Sequence, residues 1–215
     1  ESAKSFEAGT SLATRHIRLD DAGVVSDLPG FGQGRWWVQD LAASLPARLI
    51  PTGPDDVLDL CAAPGGKTMQ MAAAGHRVTS VDQSDSRLKR LRENLERTGL
   101  RAKLVAADAT KWEVDREFDA ILLDAPCSAT GTFRRHPEVL YRARPAIIAA
   151  SAELQSHLLQ RAAAWLRPGG ALVYAVCSLE PREGEDMIGA FLESNDGFRI
   201  DAPKAGELPD FVTSD

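Results

Sequence analysis

Apolar positions along the chain change their period several times, and each change predicts an element. The earliest strand-like run is Thr14-Arg-His-Ile-Arg-Leu19, set among glycines, so residues 1–35 read as an extended approach segment with one hairpin. From Trp36 to Ile50, Trp37, Leu41, Leu45 and Leu49 recur every four residues. That spacing is the buried stripe of a helix, broken or kinked near Pro46, with Gln39 and Asp40 on or beside its exposed face. From Asp56 onward short apolar runs alternate with helical ones. Val57–Leu60, Arg77–Val81, Lys103–Ala106, Phe118–Leu123 and Ala171–Val176 read as strands, with Phe198–Ile200 a candidate sixth.

Between them lie helices opening at Gly65 and following Ser84. The second carries the stripe Leu88, Leu91 and Leu95, and Gly99 stops it. Further helices span Pro145 to Leu166, stopped by Arg167-Pro-Gly-Gly170, and Gly184 to Ser194. Strands alternating with helices of this length make an α/β fold: a mostly parallel central sheet with helices on both faces. Residues 1–50 are then an approach segment and incoming helix packed on a domain of residues 51–215.

Composition narrows the setting. The 215 residues are 44% hydrophobic and 26% charged, the balance of a globular domain. Apolar runs fall short of the roughly 18 residues a membrane span needs, and no leader pattern opens the chain, so no membrane partner is expected. The first residue is Glu1 rather than Met, and a piece of a longer polypeptide is expected. The three cysteines, Cys61, Cys127 and Cys177, cannot close into pairs and lack C-x-x-C spacing. Free thiols in a cytoplasmic monomer without a metal are the expectation. The net charge of −6 excludes a uniformly basic surface but not a local basic patch.

Candidate chemistry collects at the strand ends. In parallel sheets a ligand lies beyond the carboxyl ends of the strands, so Asp82, Asp108, Asp124 and Cys177 converge on one cleft. Two strands end in Cys-Ser: the run from Ile121 reaches Asp124-Ala-Pro-Cys127-Ser128, and the run from Ala171 reaches Cys177-Ser178. The turn Cys61-Ala62-Ala63-Pro64-Gly65-Gly66-Lys67-Thr68 is neither a dinucleotide fingerprint nor a P-loop. Its small residues let a ligand approach the backbone, and the next helix offers free amides to an anion. Asp82 stands where a carboxylate takes ribose hydroxyls. A ribose-bearing ligand with a small anionic end fits, and S-adenosyl-L-methionine is one. For each cysteine the plain alternative is a buried apolar filler, and for Cys61 the two readings weigh equally.

These motifs together resemble the RNA (cytosine-5) methyltransferases, in particular their bacterial ribosomal-RNA Sun/Fmu (RsmB-like) branch. The matching segments are Asp59 to Thr68, Asp82, Asp108-Ala109-Thr110, Asp124 to Ser128 with Thr130-Gly131, Arg135-His-Pro137, and Tyr174 to Ser178. Trp37 to Asp40 is similar to the helix entering the family's catalytic domain. The resemblance implies a Rossmann-like class I domain that methylates C5 of a cytosine in RNA, most simply small-subunit ribosomal RNA. It implies that Cys61 to Lys67 line the methionine end of the cofactor, that Asp82 with Gln83 holds the ribose, and that Asp108 and Ala109 flank the adenine. Asp124 would face both cofactor and base, Cys177 would attack C6, and Cys127 would assist product release. Residue spacing alone leaves the two thiol roles exchangeable.

The chain departs from the family's usual motif at Ala129, where a glycine is usual, and at Val176, where Thr is common. The family's N-terminal RNA-binding domain and its last antiparallel strand are expected to be missing. Arg134, Arg135 and His136 are the candidate RNA contacts, with Arg142 and Arg144 beyond. A transfer-RNA methyltransferase, a non-catalytic cofactor-binding assembly factor and a small-molecule methyltransferase are the competing readings.

Overall fold

The computed structural model describes residues 9–20, 22–53 and 56–209; the outermost parts of both expected segments, 1–8 and 210–215, lie outside it. The chain opens with a two-stranded antiparallel hairpin, β1 (Thr10–Ala13) and β2 (His16–Arg18). The strand-like run from Thr14 to Leu19 therefore supplies only the second strand. Its first residues make the turn, where Arg15 takes a left-handed φ of 62°.

The incoming helix α1 (Leu41–Arg48) is shorter than the apolar stripe predicts. Asp40 is its N-cap, accepting from the amide of Ala42 at 2.8 Å, so Trp36 and Trp37 precede the helix. Gln39 is not on an exposed face either. Its amide donates to the Ala43 carbonyl and to Gln70 Oε1 and its carbonyl accepts from Trp37 Nε1, which fastens the start of α1 to its neighbour.

The main body then alternates: β3 (Asp56–Leu60), α2 (Gly66–Ala73), β4 (Arg77–Asp82), α3 (Asp85–Thr98), β5 (Lys103–Ala106) and β6 (Phe118–Asp124). The short helix α4 (Val139–Arg142), α5 (Pro145–Ala164), β7 (Leu166–Ala175) and α6 (Glu185–Glu193) follow. As its sequence predicts, α3 runs from a Ser84 cap to Gly99, which ends it at φ 67°.

Five strands form a parallel sheet in the order β5-β4-β3-β6-β7. Strand alternation sends Leu58, Leu60, Ile121 and Leu123 to one face, under α5 and α6, and Val57, Ala120 and Leu122 to the other, under α1 and α2. Each fully buried leucine or isoleucine contributes about 1.5–3 kcal/mol. The stripe of α3 packs with Ala62 and Met69 into a third cluster on the α2 side.

Two strand expectations are corrected. β7 begins at Leu166, so Arg167-Pro-Gly-Gly170 is the irregular first half of a strand, not a loop after α5. The register shifts there between Phe118 and Ala120, and a Cβ on Gly170 would lie 2.7 Å from the Asp119 carbonyl. Only glycine lets the strands approach so closely. Phe198–Ile200 forms no strand; Phe198 instead packs edge-on against Phe191 of α6, ring centroids 5.1 Å apart.

Candidate functional site

The sheet order reverses direction between β3 and β6, and the loops leaving the carboxyl ends of β3, β4, β6 and β7 meet above that point. After β3 the chain turns sharply. Cys61 has a φ of 60°, the amide of Ala62 donates to the Val81 carbonyl at 3.1 Å, and the amide of Ala63 donates to Asp82 Oδ2 at 3.1 Å. The Ala63–Pro64 bond is cis, and Gly65 follows at φ 102°. A Cβ at Gly65 would lie 2.0 Å from Leu91 Cδ1, so the turn rests directly on α3. The opening amides of α2 lack acceptors within the helix, as at any helix start.

Asp82 is buried with 3% exposure. One carboxylate oxygen accepts from Ala63, the other from the amide of Ser84 at 2.9 Å, and Arg87 stands 3.5 Å away. Cys61, Asp82, Gln83, Asp108, Ala109 and Pro126 line one cleft. The structure thus joins the first-turn residue, the β4 carboxylate and the loop after β5, whereas Asp124 and Cys177, expected in the same cleft, are not among its lining residues.

Of the glycine-rich turn only Cys61 lines that cleft. Ala62 and Ala63 are buried beneath it, and Lys67 reaches across to Asp124. Burial, reinforced by Asp82, Asp124 and Asp59, pushes the Cys61 thiol up to about 12, so it acts as a small cleft-lining group and not as a nucleophile. Asp108 caps its own loop. Its carboxylate accepts from the Thr110 hydroxyl and amide at 2.7 and 2.9 Å, which holds it below the ordinary carboxylate range.

Beneath the cleft Asp59 is fully buried. Thr68 donates to it at 2.5 Å, while its other oxygen has no partner among the described residues. Burial pushes its carboxyl up to about 7. Nothing in the sequence distinguishes this buried carboxyl from the others at strand ends.

β6 and β7 are neighbours with Asp124 opposite Ala175, so the two Cys-Ser segments leave the sheet side by side. The amide of Gly131 donates to the Cys177 carbonyl at 3.0 Å. The sulfurs of Cys127 and Cys177 lie 3.4 Å apart. Cys177 is the more exposed of the two. A thiol proton held on Cys127 and donated to Cys177 lowers Cys177 to about 7; burial and Asp124 oppose this, and Lys67 assists it. Cys127 is pushed up, first by that same bond and then by burial. The two sulfurs are close enough to share one proton, and the more exposed Cys177 is the one favoured as thiolate.

Asp124 ends β6 with its side chain 36% exposed and Lys67 Nζ 2.7 Å from Oδ2. It is a paired, partly exposed carboxylate, not a deeply buried lone acid. Beyond the motif, Ala129 holds a left-handed φ of 59°, which accounts for glycine being usual at this place in the motif. Arg135 is tied to Asp40 at 2.7 Å and His136 lies 3.4 Å from Glu138, while both remain more than half exposed beside Arg134.

One buried carboxylate ties the two Cys-Ser segments together. Glu183 is fully buried and receives the Ser128 amide at 2.9 Å, the Ser128 hydroxyl, the Ser178 hydroxyl at 2.5 Å and Gln155 at 3.2 Å. Burial alone would raise its carboxyl, but these donors outweigh burial and hold it below the ordinary range. Glu183 sits in the acidic stretch Glu180 to Asp186, where no local pattern singles it out. Gln155 was the readable clue, a polar residue on the buried stripe Ala152, Leu158, Leu159 and Ala162 of α5.

Known proteins resemble this chain over most of its length. The family described as "16S rRNA methyltransferase RsmB/F" matches residues 46–210. The ribosomal RNA small subunit methyltransferase B of Vibrio cholerae is 43% identical over 207 residues, 91% of this chain and 48% of that protein. Its counterpart from Pseudomonas syringae pv. tomato is 48% identical, over 86% of this chain and 43% of its own length. The chain spans about half the length of these relatives. Among solved structures, NSun6 from Pyrococcus horikoshii with SFG, an adenosyl-methionine analogue, superposes with a TM-score of 0.74 at 32% identity, covering 87% of this chain and 51% of that one. A methyltransferase homolog protein from Pyrococcus horikoshii gives 0.71 at 34% identity, covering 82% and 58%. The parallel sheet flanked by helices on both faces is the Rossmann-like class I methyltransferase architecture. With most of its residues matched, the chain belongs to the RsmB/F family of 16S rRNA methyltransferases.

Proposed function

We propose that this chain carries the catalytic domain of an S-adenosyl-L-methionine-dependent methyltransferase acting on C5 of a cytosine in small-subunit ribosomal RNA. The observation that carries the reading is the pair of thiols 3.4 Å apart on the loops leaving β6 and β7, with Pro126, next to Cys127, lining the cleft that holds Asp82 and Asp108. Asp82 with Gln83 would hold the cofactor ribose, Asp108 and Ala109 its adenine side, and the turn from Cys61 to Lys67 its methionine end. The residues fit: the cleft is lined by a buried carboxylate and small side chains, and the turn leads into a helix start. When bound, the cofactor supplies an electrophilic methyl group at C5.

The remaining chemistry falls to this chain's side chains. Cytosine C5 is a weak nucleophile until a thiolate adds to C6, which moves the C5–C6 π electrons toward C5. Cys177, already disposed to ionise, forms that S–C6 bond. Lys67 and Asp124 present a donor and an acceptor side by side, suited to the ring's N3 and exocyclic amino group, and keep a proton at hand for N3. After methylation the C5 proton must leave as the S–C6 bond breaks and the C5–C6 double bond returns. A water molecule takes the C5 proton, the C5–H pair re-forms the double bond, the S–C6 pair leaves on Cys177, and the Cys127 thiol assists by donating a hydrogen bond to that departing thiolate. Arg134, Arg135 and His136, on the loop continuing from the motif, would meet phosphates beside a flipped or single-stranded base.

The test is covalent trapping in the full-length protein. Cys127→Ala should accumulate an RNA–protein adduct that survives denaturing electrophoresis, and Cys177→Ala should abolish it. No adduct under turnover conditions, or the opposite dependence, overturns the assignment.

A further inference from the structure

The two Cys-Ser segments come from different strands 50 residues apart, yet their sulfurs are placed within contact distance. Strand pairing alone stops short of this. The ladder ends at Asp124 opposite Ala175, and both cysteines lie beyond it on loops. The Gly131 amide, donating to the Cys177 carbonyl, joins their backbones, and a further tie must orient their side chains.

Glu183 occupies the position that does so. Its Oε1 accepts from the Ser128 amide and from Gln155, and its Oε2 accepts from both the Ser128 and Ser178 hydroxyls. Those hydroxyls are themselves 3.1 Å apart, and Thr130 Oγ1 lies 3.2 Å from Ser178 Oγ while accepting from the Leu179 amide. Gln155 also donates to the Pro126 carbonyl at 2.8 Å, so α5 anchors the Cys127 loop from behind. The Tyr174 hydroxyl donates to the Glu183 carbonyl at 2.7 Å, which ties the carboxylate's own backbone to β7.

Each donor on the carboxylate is neutral. A fully buried anion without a cation is expensive unless several donors converge on it, so it is stable only while both loops are in place. The coupling runs both ways: the loops hold the charge, and the charge holds the loops.

We infer that Glu183 is a positioning residue that clamps Ser128 and Ser178, and through them keeps the Cys127 sulfur within hydrogen-bond reach of Cys177. This rests on the reading of Cys177 as the nucleophile. The charged and titratable groups facing Cys177 are Cys127 from the β6 loop, Asp124 at the end of β6 and Lys67 from α2. Glu183 touches none of the reacting atoms and acts by fixing the first of these.

The experiment is pH-dependent labelling of Cys177 by iodoacetamide in the full-length protein, read by mass spectrometry on the Cys177 peptide. Wild type should show a midpoint near 7. In Glu183→Gln the amide removes the charge and cannot accept at both ends, so the midpoint should rise toward the ordinary thiol value of 9.0. Methyl transfer should lose about tenfold or more in kcat with KM for RNA and cofactor little changed, because the defect is misplacement of the reacting group. Glu183→Asp, which keeps the charge on a shorter arm, should recover part of both.

A wild-type midpoint in a folded Glu183→Gln protein overturns the inference, whatever happens to its melting temperature. Should that variant fail to fold, Ser128→Ala and Ser178→Ala each remove one clamp contact, and unchanged midpoints in both overturn it equally. Labelling requires neither RNA nor cofactor. A missing RNA adduct in Cys127→Ala would therefore sink the methyl-transfer role of Cys177 and leave the labelling result standing.

Discussion

Removing the Cys127 thiol should change how Cys177 reacts in a way that reverses sign with pH. In the structure the main cause of Cys177 ionising near 7 rather than at the usual 9.0 is the proton donated by Cys127 across 3.4 Å. Without that donor, burial and Asp124, which raise the thiol, outrank Lys67, which lowers it, so Cys177 returns to its usual 9.0 at the least. At pH 7 the thiolate fraction then drops from about one half to about one in a hundred, a loss of about 50-fold. A more basic thiolate is intrinsically more reactive; a Brønsted slope of about 0.45 over two pH decades returns about eightfold. The net result for Cys127→Ala is alkylation of Cys177 about sixfold slower at pH 7 and about sixfold faster at pH 9.5. The two profiles should cross a little above pH 8. Cys127→Ser, whose hydroxyl still donates, should stay near wild type. The assay is the second-order rate of iodoacetamide labelling on the Cys177 peptide from pH 6 to 10. Parallel profiles, with Cys127→Ala faster or slower throughout, would show that Cys127 affects access and not ionisation, and would refute this reasoning.

Two further outcomes concern stability. Ala129→Gly relieves a left-handed alanine worth about 1–2 kcal/mol but adds freedom to the unfolded chain worth about 0.5–1 kcal/mol, so it should stabilise by up to about 1 kcal/mol. A rise of roughly 2–4 °C in melting temperature would match, and a fall would contradict it. Asp59 has its folded carboxyl raised from 3.8 to about 7, so the native state holds the extra proton within that window. Its contribution to stability is full below pH 4 and lost as pH rises through 7. Asp59→Asn should remove that part of the decline, seen as a flatter urea midpoint between pH 4 and 7; an unaltered slope would show that Asp59 does not titrate there.

Local signals account for most of what the sequence made legible. The alternation at Val57–Leu60 and Phe118–Leu123, the Ser84 cap and the Gly99 stop are decided within one element, and the structure keeps each. Errors fell where a local pattern met a tertiary demand. The four-residue stripe from Trp37 overran a helix that Asp40 starts by capping, and Arg167-Pro-Gly-Gly170 read as a stop because its close approach to Asp119 is visible only across the sheet. The site divides in the same way. Asp82, Asp124 and both Cys-Ser segments followed from strand ends plus topology. Glu183 and the buried state of Asp59 depend on what lies opposite them in space, and nothing adjacent in sequence announces it.

The pairing of β6 with β7 also governs when the chain becomes chemically dangerous to itself. Before those strands meet, Cys127 and Cys177 are ordinary thiols separated by 50 residues, with no mutual hydrogen bond and no special tendency to ionise. The thiol contact therefore forms only once the ladder from Phe118–Leu166 to Asp124–Ala175 is complete and Glu183 has closed on Ser128 and Ser178. On the proposed role of Cys177, a nascent or damaged chain carries no sharpened thiol to capture stray electrophiles.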